Sequence, residues 1–174
     1  MPYAKKAAIL AAVSLSLFFL IAGKSVFSDS DGPKEAIFGP IAYRLPSAAW
    51  RPAGQKEYDS FRPRPDLMFR HRTVKSSIVR VNLQKTVLSP AAIIRMAITF
   101  GPSAVEWQRV RNDSGHVLAC FRNVSTGLNG CIDARRLSGL SGYVLVVGGS
   151  WPAHLQADFR SEFDLFVRSF RVIE

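Results

Sequence analysis

The feature that most constrains this chain lies near its C-terminus, where an apolar segment is followed by an amphipathic one. Residues 143–147 form a short run of aromatic and β-branched residues, which is typical of a strand buried on both faces. Gly148 and Gly149 follow, and we expect them to end that strand. From Leu155 onward apolar side chains recur at helical spacing, at Phe159, Phe163, Phe166, Val167 and Phe170. Because an amphipathic helix needs a surface on which to bury its apolar side, the rest of the chain must supply a sheet.

The residues between this strand and this helix allow two interpretations. Ser150 precedes the predicted helix and is a candidate N-cap residue, with the two glycines simply permitting the turn. Alternatively, the free backbone amides at the start of the helix could hold an anion. The segment is not a hydrolase nucleophile motif, because no glycine follows at the second position after the serine.

The N-terminal segment predicts export from the cytoplasm. Residues 7–23 are seventeen uncharged residues, preceded by Lys5 and Lys6 and followed by Lys24. Their length favours an uncleaved membrane anchor with the two lysines on the cytoplasmic side, whereas a signal peptide cleaved near Ser28 is the alternative. We therefore expect an anchor or signal over 1–28, a linker over 29–35 and one domain over 36–174. The domain would be periplasmic behind a single pass of the inner membrane, or secreted or periplasmic after cleavage.

The middle of the chain predicts a sheet with one helix. We expect a first strand over 36–45, an exposed loop over 51–65, a half-buried strand over 77–84, and a helix that begins at Ser89-Pro90 and stops at Gly101-Pro102. Strand patterns at 105–111, 116–124, 128–137 and 143–147 are separated by turn residues, which favours an antiparallel meander. The predicted fold class is α+β: a mostly antiparallel sheet of about five to six strands, packed by a middle helix and a C-terminal amphipathic helix, and preceded by an N-terminal hydrophobic helix.

The two cysteines of the chain, Cys120 and Cys131, are expected to form a disulfide because the domain is exported. If residues 124–127 form a four-residue hairpin loop, the two cysteines lie directly opposite each other on neighbouring strands. A two-residue turn at Asn129-Gly130 is the competing arrangement and would separate them.

The charge of the chain suggests an acidic partner. The formal net charge is +10, and omitting Lys5, Lys6 and Lys24 leaves 20 basic residues against 13 acidic ones, a net charge of +7 on the exported part. Such a domain is attracted to anionic lipid headgroups, acidic polysaccharide or an acidic protein, although a basic surface can also serve solubility alone. Nucleic acid is not expected, because an exported chain rarely meets it. The candidate binding residues lie in the Pro- and Arg-rich segment: Arg51, Arg62, Arg64, Arg70 and Arg72.

No residue pattern in the chain identifies a reaction. His71, His116 and His154 have no metal-binding spacing to one another or to a cysteine, so neither a metal nor a cofactor is expected. The carboxylates Asp158, Glu162 and Asp164 are interpreted as the solvated side of the last helix.

Two short motifs resemble a known family. Tyr43-x-Leu-Pro46-x-x-x-Trp50 and Phe163-x-x-Phe166-x-x-Ser169-Phe170 are similar to the opening strand and the closing helix of the PsbP/Mog1-like family of small exported α/β proteins. The insert at 51–65 departs from the short turn usual in that family. The resemblance implies an antiparallel sheet with helices packed against it and a mostly non-enzymatic accessory or assembly role. It transfers no catalytic residues.

Two functions follow as expectations. The first is a non-catalytic, membrane-anchored or exported accessory or binding protein that faces the cell envelope. The second is a cell-envelope enzyme, or an inhibitor of one, that acts on cell-wall or polysaccharide substrate.

Overall fold

The computed structural model describes residues 35–61, 63–113 and 115–173. The chain there forms ten strands, three α-helices and one 3₁₀ turn. In order these are β1 (Glu35–Phe38), β2 (Ile41–Arg44), β3 (Trp50–Pro52), α1 (Gln55–Asp59), β4 (Leu67–His71), β5 (Ile78–Lys85), α2 (Pro90–Phe100), β6 (Val105–Asp113), β7 (His116–Asn123), β8 (Leu128–Arg135), β9 (Tyr143–Pro152), the 3₁₀ turn Ala153–Leu155, α3 (Gln156–Ser169) and β10 (Arg171–Val172).

Seven strands form one antiparallel sheet in the order β3-β4-β5-β9-β8-β7-β6, and β1, β2 and β10 form a small second sheet. The α+β class, the mostly antiparallel sheet and the C-terminal helix are confirmed. The expected number of five to six strands was too low. The missed strands are short, with three residues in β3 and two in β10, so they show no alternation of apolar and polar residues in the sequence.

The large sheet is covered on both faces. Along β9, Leu145 and Val147 point into the core beneath α3, whereas Val144 and Val146 belong to the cluster beneath α2. The predicted apolar stripe of α3 is confirmed, since Phe159, Phe163, Phe166 and Val167 are all buried. Because α2 and α3 lie on opposite faces, the domain has three layers with the sheet in the middle.

The C-terminal strand is longer than expected. Gly148 and Gly149 do not end β9, which continues through Pro152 and stays paired with β5 and β8. Ser150 is consequently a strand residue and not a helix cap: α3 follows the 3₁₀ turn, and its N-cap residue, Leu155, makes no side-chain cap bond. Glycine was interpreted as a break, but here its missing side chain makes room for the helix, as Gly149 lies against Phe163.

Two further expectations about the first half of the domain were wrong. Residues 36–45 form a hairpin and not one strand, because Gly39 turns the chain with a φ of 55°, a value that favours glycine. The segment 51–65 is not wholly a loop either, since it contains part of β3 and the helix α1. In α1, Glu57 accepts a hydrogen bond from the Gly54 amide at 2.6 Å, a capping interaction that fixes the start of the helix.

The middle helix and the meander agree with the sequence. Ser89 caps α2 by accepting a hydrogen bond from the Ala92 amide at 3.2 Å, and Pro90 is in its first turn. Strands β6 to β9 form a consecutive antiparallel meander. Its last strand, β9, also pairs antiparallel with β5. The predicted anchor and all but the last residue of the predicted linker lie outside the described residues. Among the described helices, none is long and apolar enough to cross a membrane.

The predicted disulfide is present between Cys120 and Cys131, whose Cα atoms are 4.0 Å apart. Asn123 pairs with Leu128 and Cys120 pairs with Cys131, so the four-residue loop is the one that forms. The register with a turn at Asn129-Gly130 does not occur, because both residues lie within β8.

Candidate binding surfaces

Two of the predicted binding arginines meet at one carboxylate. Arg51 and Arg70 are opposite each other on β3 and β4. Arg51 Nη1 lies 3.1 Å from Glu57 Oε2, and Arg70 Nε lies 2.7 Å from Glu57 Oε1. The hydrogen bond from Arg51 is the main cause that lowers the pKa of Glu57 below its usual value, and the Gly54 amide lowers it further. Glu57 therefore neutralises part of the charge that these arginines would offer a partner.

The other predicted arginines have separate contacts. The guanidinium of Arg64 lies 5.4 Å above the Tyr58 ring and donates to the Gln55 side chain at 3.3 Å. Arg72 donates from Nε to the carbonyl of Ala48 at 3.0 Å. Arg62 lies outside the described residues. A binding role for these five arginines stays a prediction.

A different basic surface appears where the two ends of the domain meet. Arg44, Arg168 and Arg171 line an open depression of about 300 Å³ together with Glu35, Leu165 and Ser169. We call this set the basic depression. It forms because β10 pairs with β2 and α3 ends beside them, which brings together residues more than a hundred positions apart. The sequence contains no motif for it, since each arginine is isolated along the chain.

The charges of the basic depression are only partly balanced. Arg171 pairs with Glu35 at 2.8 Å. Neither Arg44 nor Arg168 forms an ion pair with any residue in the described part of the chain. The backbone beneath them is held by Ser169, whose hydroxyl accepts a hydrogen bond from the Arg44 amide at 3.0 Å. Two exposed cations on a fixed backbone can bind an anionic group.

An apolar surface lies on the other side of the molecule, along α2. Met96 and Phe100 are four residues apart, so they share one side of the helix, and they are 47% and 79% exposed. Ile94 on the opposite side is buried in the core. The helix contains one charged residue, Arg95, and a helix that is apolar on nearly all sides is normally buried. We call Met96 and Phe100 the α2 surface; Val87 and Leu88, just before the helix, are exposed as well.

A buried polar cluster links the sheet to the end of α3. Asp133 is buried and contacts His116 Nε2, while Arg135 donates from Nη2 to the carbonyl of Val167. Burial lowers the pKa of the Arg135 guanidinium, and the nearby Asp133 opposes that shift. A cation at the C-terminal end of a helix is favourable, so this cluster fixes α3 to the sheet.

The remaining candidate groups have structural contacts. Arg160 Nη1 lies 2.7 Å from the sulfur of Cys120 and 2.9 Å from that of Cys131, so its guanidinium covers the disulfide. The ring of His71 packs against Trp50 and Phe159 in edge contacts. Within the described ranges, no three His, Cys, Asp or Glu side chains are grouped as a metal site would require.

These observations define an α+β protein with the PsbP/Mog1-like fold, and comparison with solved structures shows the same fold. Cyanobacterial PsbP (CyanoP) from Synechocystis sp. PCC 6803 has 14% identity and a TM-score of 0.51 over 77% of this chain and 87% of that chain. The Ran-binding protein Mog1p from Saccharomyces cerevisiae has 14% identity and a TM-score of 0.54 over 83% of this chain and 97% of that chain. No family model matches the sequence. No curated protein matches it either.

Proposed function

We propose that this protein is a non-catalytic accessory domain that binds a protein partner through the α2 surface. In this proposal residues 1–28 hold the domain at the inner membrane with the folded part outside the cytoplasm. The alternative location is the periplasm or the exterior after cleavage of that segment. Among the described residues, no specific observation favours the second expectation, an enzyme or enzyme inhibitor that acts on the cell wall.

The observation that supports binding is the exposure of Phe100 and Met96 on a helix that is otherwise apolar. Burial of a phenylalanine or methionine side chain is worth about 1.5 to 3 kcal/mol each, so a partner that covers both gains several kcal/mol before the cost of association. Val110, which is 52% exposed, pairs with Ala119 and so lies on the face of the sheet that α2 covers. Large aromatic and methionine side chains are enriched at protein interfaces.

The structural neighbours support a binding role at the level of the fold. Mog1p is described as a Ran-binding protein, so one protein with this fold binds another protein. Its partner is not transferred to this chain, because the identity is 14%.

The test is capture of the partner from cells that naturally make the full-length chain. A photo-crosslinking residue placed at Phe100 should yield a discrete crosslinked protein, and the same residue at Val124, which is 51% exposed in the β7–β8 loop, should not. Met96→Asp with Phe100→Asp should abolish co-purification of that protein, whereas Val124→Asp should leave it intact. Co-purification that survives the double substitution would contradict binding through α2.

Membrane attachment is tested separately, on the same cells. The full-length chain should stay with the membrane fraction after extraction at high pH, and protease added outside the inner membrane should digest the domain. A full-length chain recovered in the cytoplasmic fraction would contradict attachment while leaving the α2 proposal in place.

A further inference from the structure

The basic depression combines cations with exposed apolar side chains. Leu165 lies within it and is 58% exposed, and Ile37, which is 60% exposed, is on the same face of β1 as Glu35. Arginine guanidinium groups bind phosphate through paired hydrogen bonds, and exposed leucine or isoleucine beside them can enter the headgroup region of a bilayer.

The entry point of the chain lies in the same place. Glu35 is the first described residue and lines the basic depression. Between it and residue 28, the end of the predicted anchor, the sequence has only the six residues 29–34, which span at most about 22 Å when fully extended. The chain therefore enters the described part of the domain at the basic depression.

We infer that the basic depression faces the bilayer and binds anionic lipid headgroups, which orients the domain on the membrane. This inference rests on the proposed attachment through residues 1–28 and adds to it which side of the domain the membrane contacts. Arg44 and Arg168 supply the two cations that have no ion pair among described residues, and Arg171 adds a third that Glu35 partly neutralises.

The size of the effect follows from the charges. A basic residue near an anionic leaflet shifts the equilibrium by about fivefold, so two unpaired arginines should favour the membrane-facing orientation by more than about tenfold. Exposed charges are screened by salt, and at 1 M the Debye length is about 3 Å, so the preference should be lost there. An orientation set by the linker alone would depend neither on the charges of these arginines nor on the salt concentration.

The experiment uses the full-length chain reconstituted in vesicles. Both native cysteines are in the disulfide, so a cysteine introduced by Leu165→Cys provides one free thiol for a fluorescent probe. The probe is measured against a quencher fixed to the lipid headgroups, in vesicles of phosphatidylcholine alone and with about a third of phosphatidylglycerol. Phe100→Cys, on the opposite side of the sheet, provides the control position for the same probe.

We expect strong quenching of the probe at Leu165 only in the anionic vesicles, with little at Phe100. Arg44→Glu with Arg168→Glu should remove that quenching, whereas the charge-matched pair Arg95→Glu with Arg122→Glu, at exposed sites outside the depression, should not. Quenching at Leu165 that is equal in the two lipid mixtures, or unchanged by the first pair, would overturn the inference while attachment still holds. If the depression instead binds an acidic protein, the probe at Leu165 would be shielded when a membrane extract is added and not when anionic lipid is present. That result would also overturn the inference. A chain that does not stay with the vesicles at all would contradict the attachment itself, and the inference with it.

Discussion

The ring of Phe163 in α3 lies directly over the α-carbon of Gly149 in β9. A Cβ atom built on Gly149 would be 2.6 Å from Phe163 Cδ2 and 2.9 Å from Cε2, which is closer than side-chain atoms approach each other. On the opposite face of the same strand, a Cβ at Gly148 would have no heavy atom within 4 Å. The helix thus rests on a strand position that must lack a side chain, next to one that need not.

The first prediction concerns these two glycines. Gly149→Ala should lower the free energy of unfolding by about 1 to 3 kcal/mol, because the added methyl group forces Phe163 away from the sheet. Gly148→Ala should change it by no more than about 1 kcal/mol, since the methyl group enters open space. Denaturant unfolding of the two variants measures the difference. Equal effects of the two substitutions would contradict the close packing of α3 on Gly149.

The second prediction concerns the disulfide. Cys120 and Cys131 are separated by 11 positions, and closing a loop of this length stabilises the folded state by about 3 kcal/mol in the chain-entropy model. Reduction should therefore lower the melting temperature without abolishing the fold. The double variant Cys120→Ala with Cys131→Ala should melt at a temperature that a reducing agent does not change. Mass spectrometry that finds two free thiols in the oxidised protein would show that the bond is absent.

The third prediction concerns pH. The pKa of Glu57 is lowered in the folded state, chiefly by Arg51, so this carboxylate stabilises the fold above its ordinary pKa of 4.5 and loses that effect as the pH falls through the folded value. Glu57→Gln should cost about 1 kcal/mol or less at pH 7, as expected for an ion pair that is still partly exposed to solvent, and the cost should shrink towards pH 3.

The control for Glu57 is Glu106→Gln, at an exposed carboxylate without an ion pair to any described residue. Its effect on unfolding should be small at both pH values. A cost for Glu57→Gln that is the same at pH 7 and pH 3 would show that the ion pairs with Arg51 and Arg70 do not stabilise the fold.

The fourth prediction separates the two sides of α2. Ile94→Ala should lower the free energy of unfolding by about 2 to 5 kcal/mol, because Ile94 is buried against the sheet. Phe100→Ser should change it by about 0.5 kcal/mol or less, because Phe100 is 79% exposed. Thermal or denaturant unfolding distinguishes the two. A large loss for Phe100→Ser would mean that this side chain serves the core, and the α2 surface would then not be free for a partner.

Parts of the fold could be predicted because local chemistry and tertiary packing agree there. Ser89-Pro90 and Gly101-Pro102 mark both ends of α2, and the spacing of Phe159, Phe163 and Phe166 marks the buried side of α3. The register of the hairpin that joins the two cysteines could be predicted because a loop at 124–127 places them opposite each other, as their expected disulfide requires. The continuation of β9 could not be predicted, because Gly148 and Gly149 are poor strand formers and only their partners β5 and β8 keep them extended.

The binding surfaces were less accessible to sequence analysis. Arg51 and Arg70 could be named as candidate binding residues because their segment is basic. Their shared contact with Glu57 could not be predicted, since it depends on how α1 packs beside β3 and β4. Arg44, Arg168 and Arg171 are brought together by the pairing of β2 with β10, and no local pattern predicts which distant strands pair. The exposed side of α2 could not be predicted for a related reason. The helix is apolar on both sides, and only the position of the sheet shows which side is buried.

If the inferred orientation on the membrane holds, the three-layer order sets the distance between α2 and the lipid surface. Because successive layers pack about 10 Å apart, the axis of α2 lies roughly 20 Å from that of α3 across the sheet. With the basic depression against the headgroups, Phe100 would be held at a fixed height above the lipid surface. The short linker and the rigid sheet would then act as a spacer, and only a partner that reaches this height above the bilayer could make the contact.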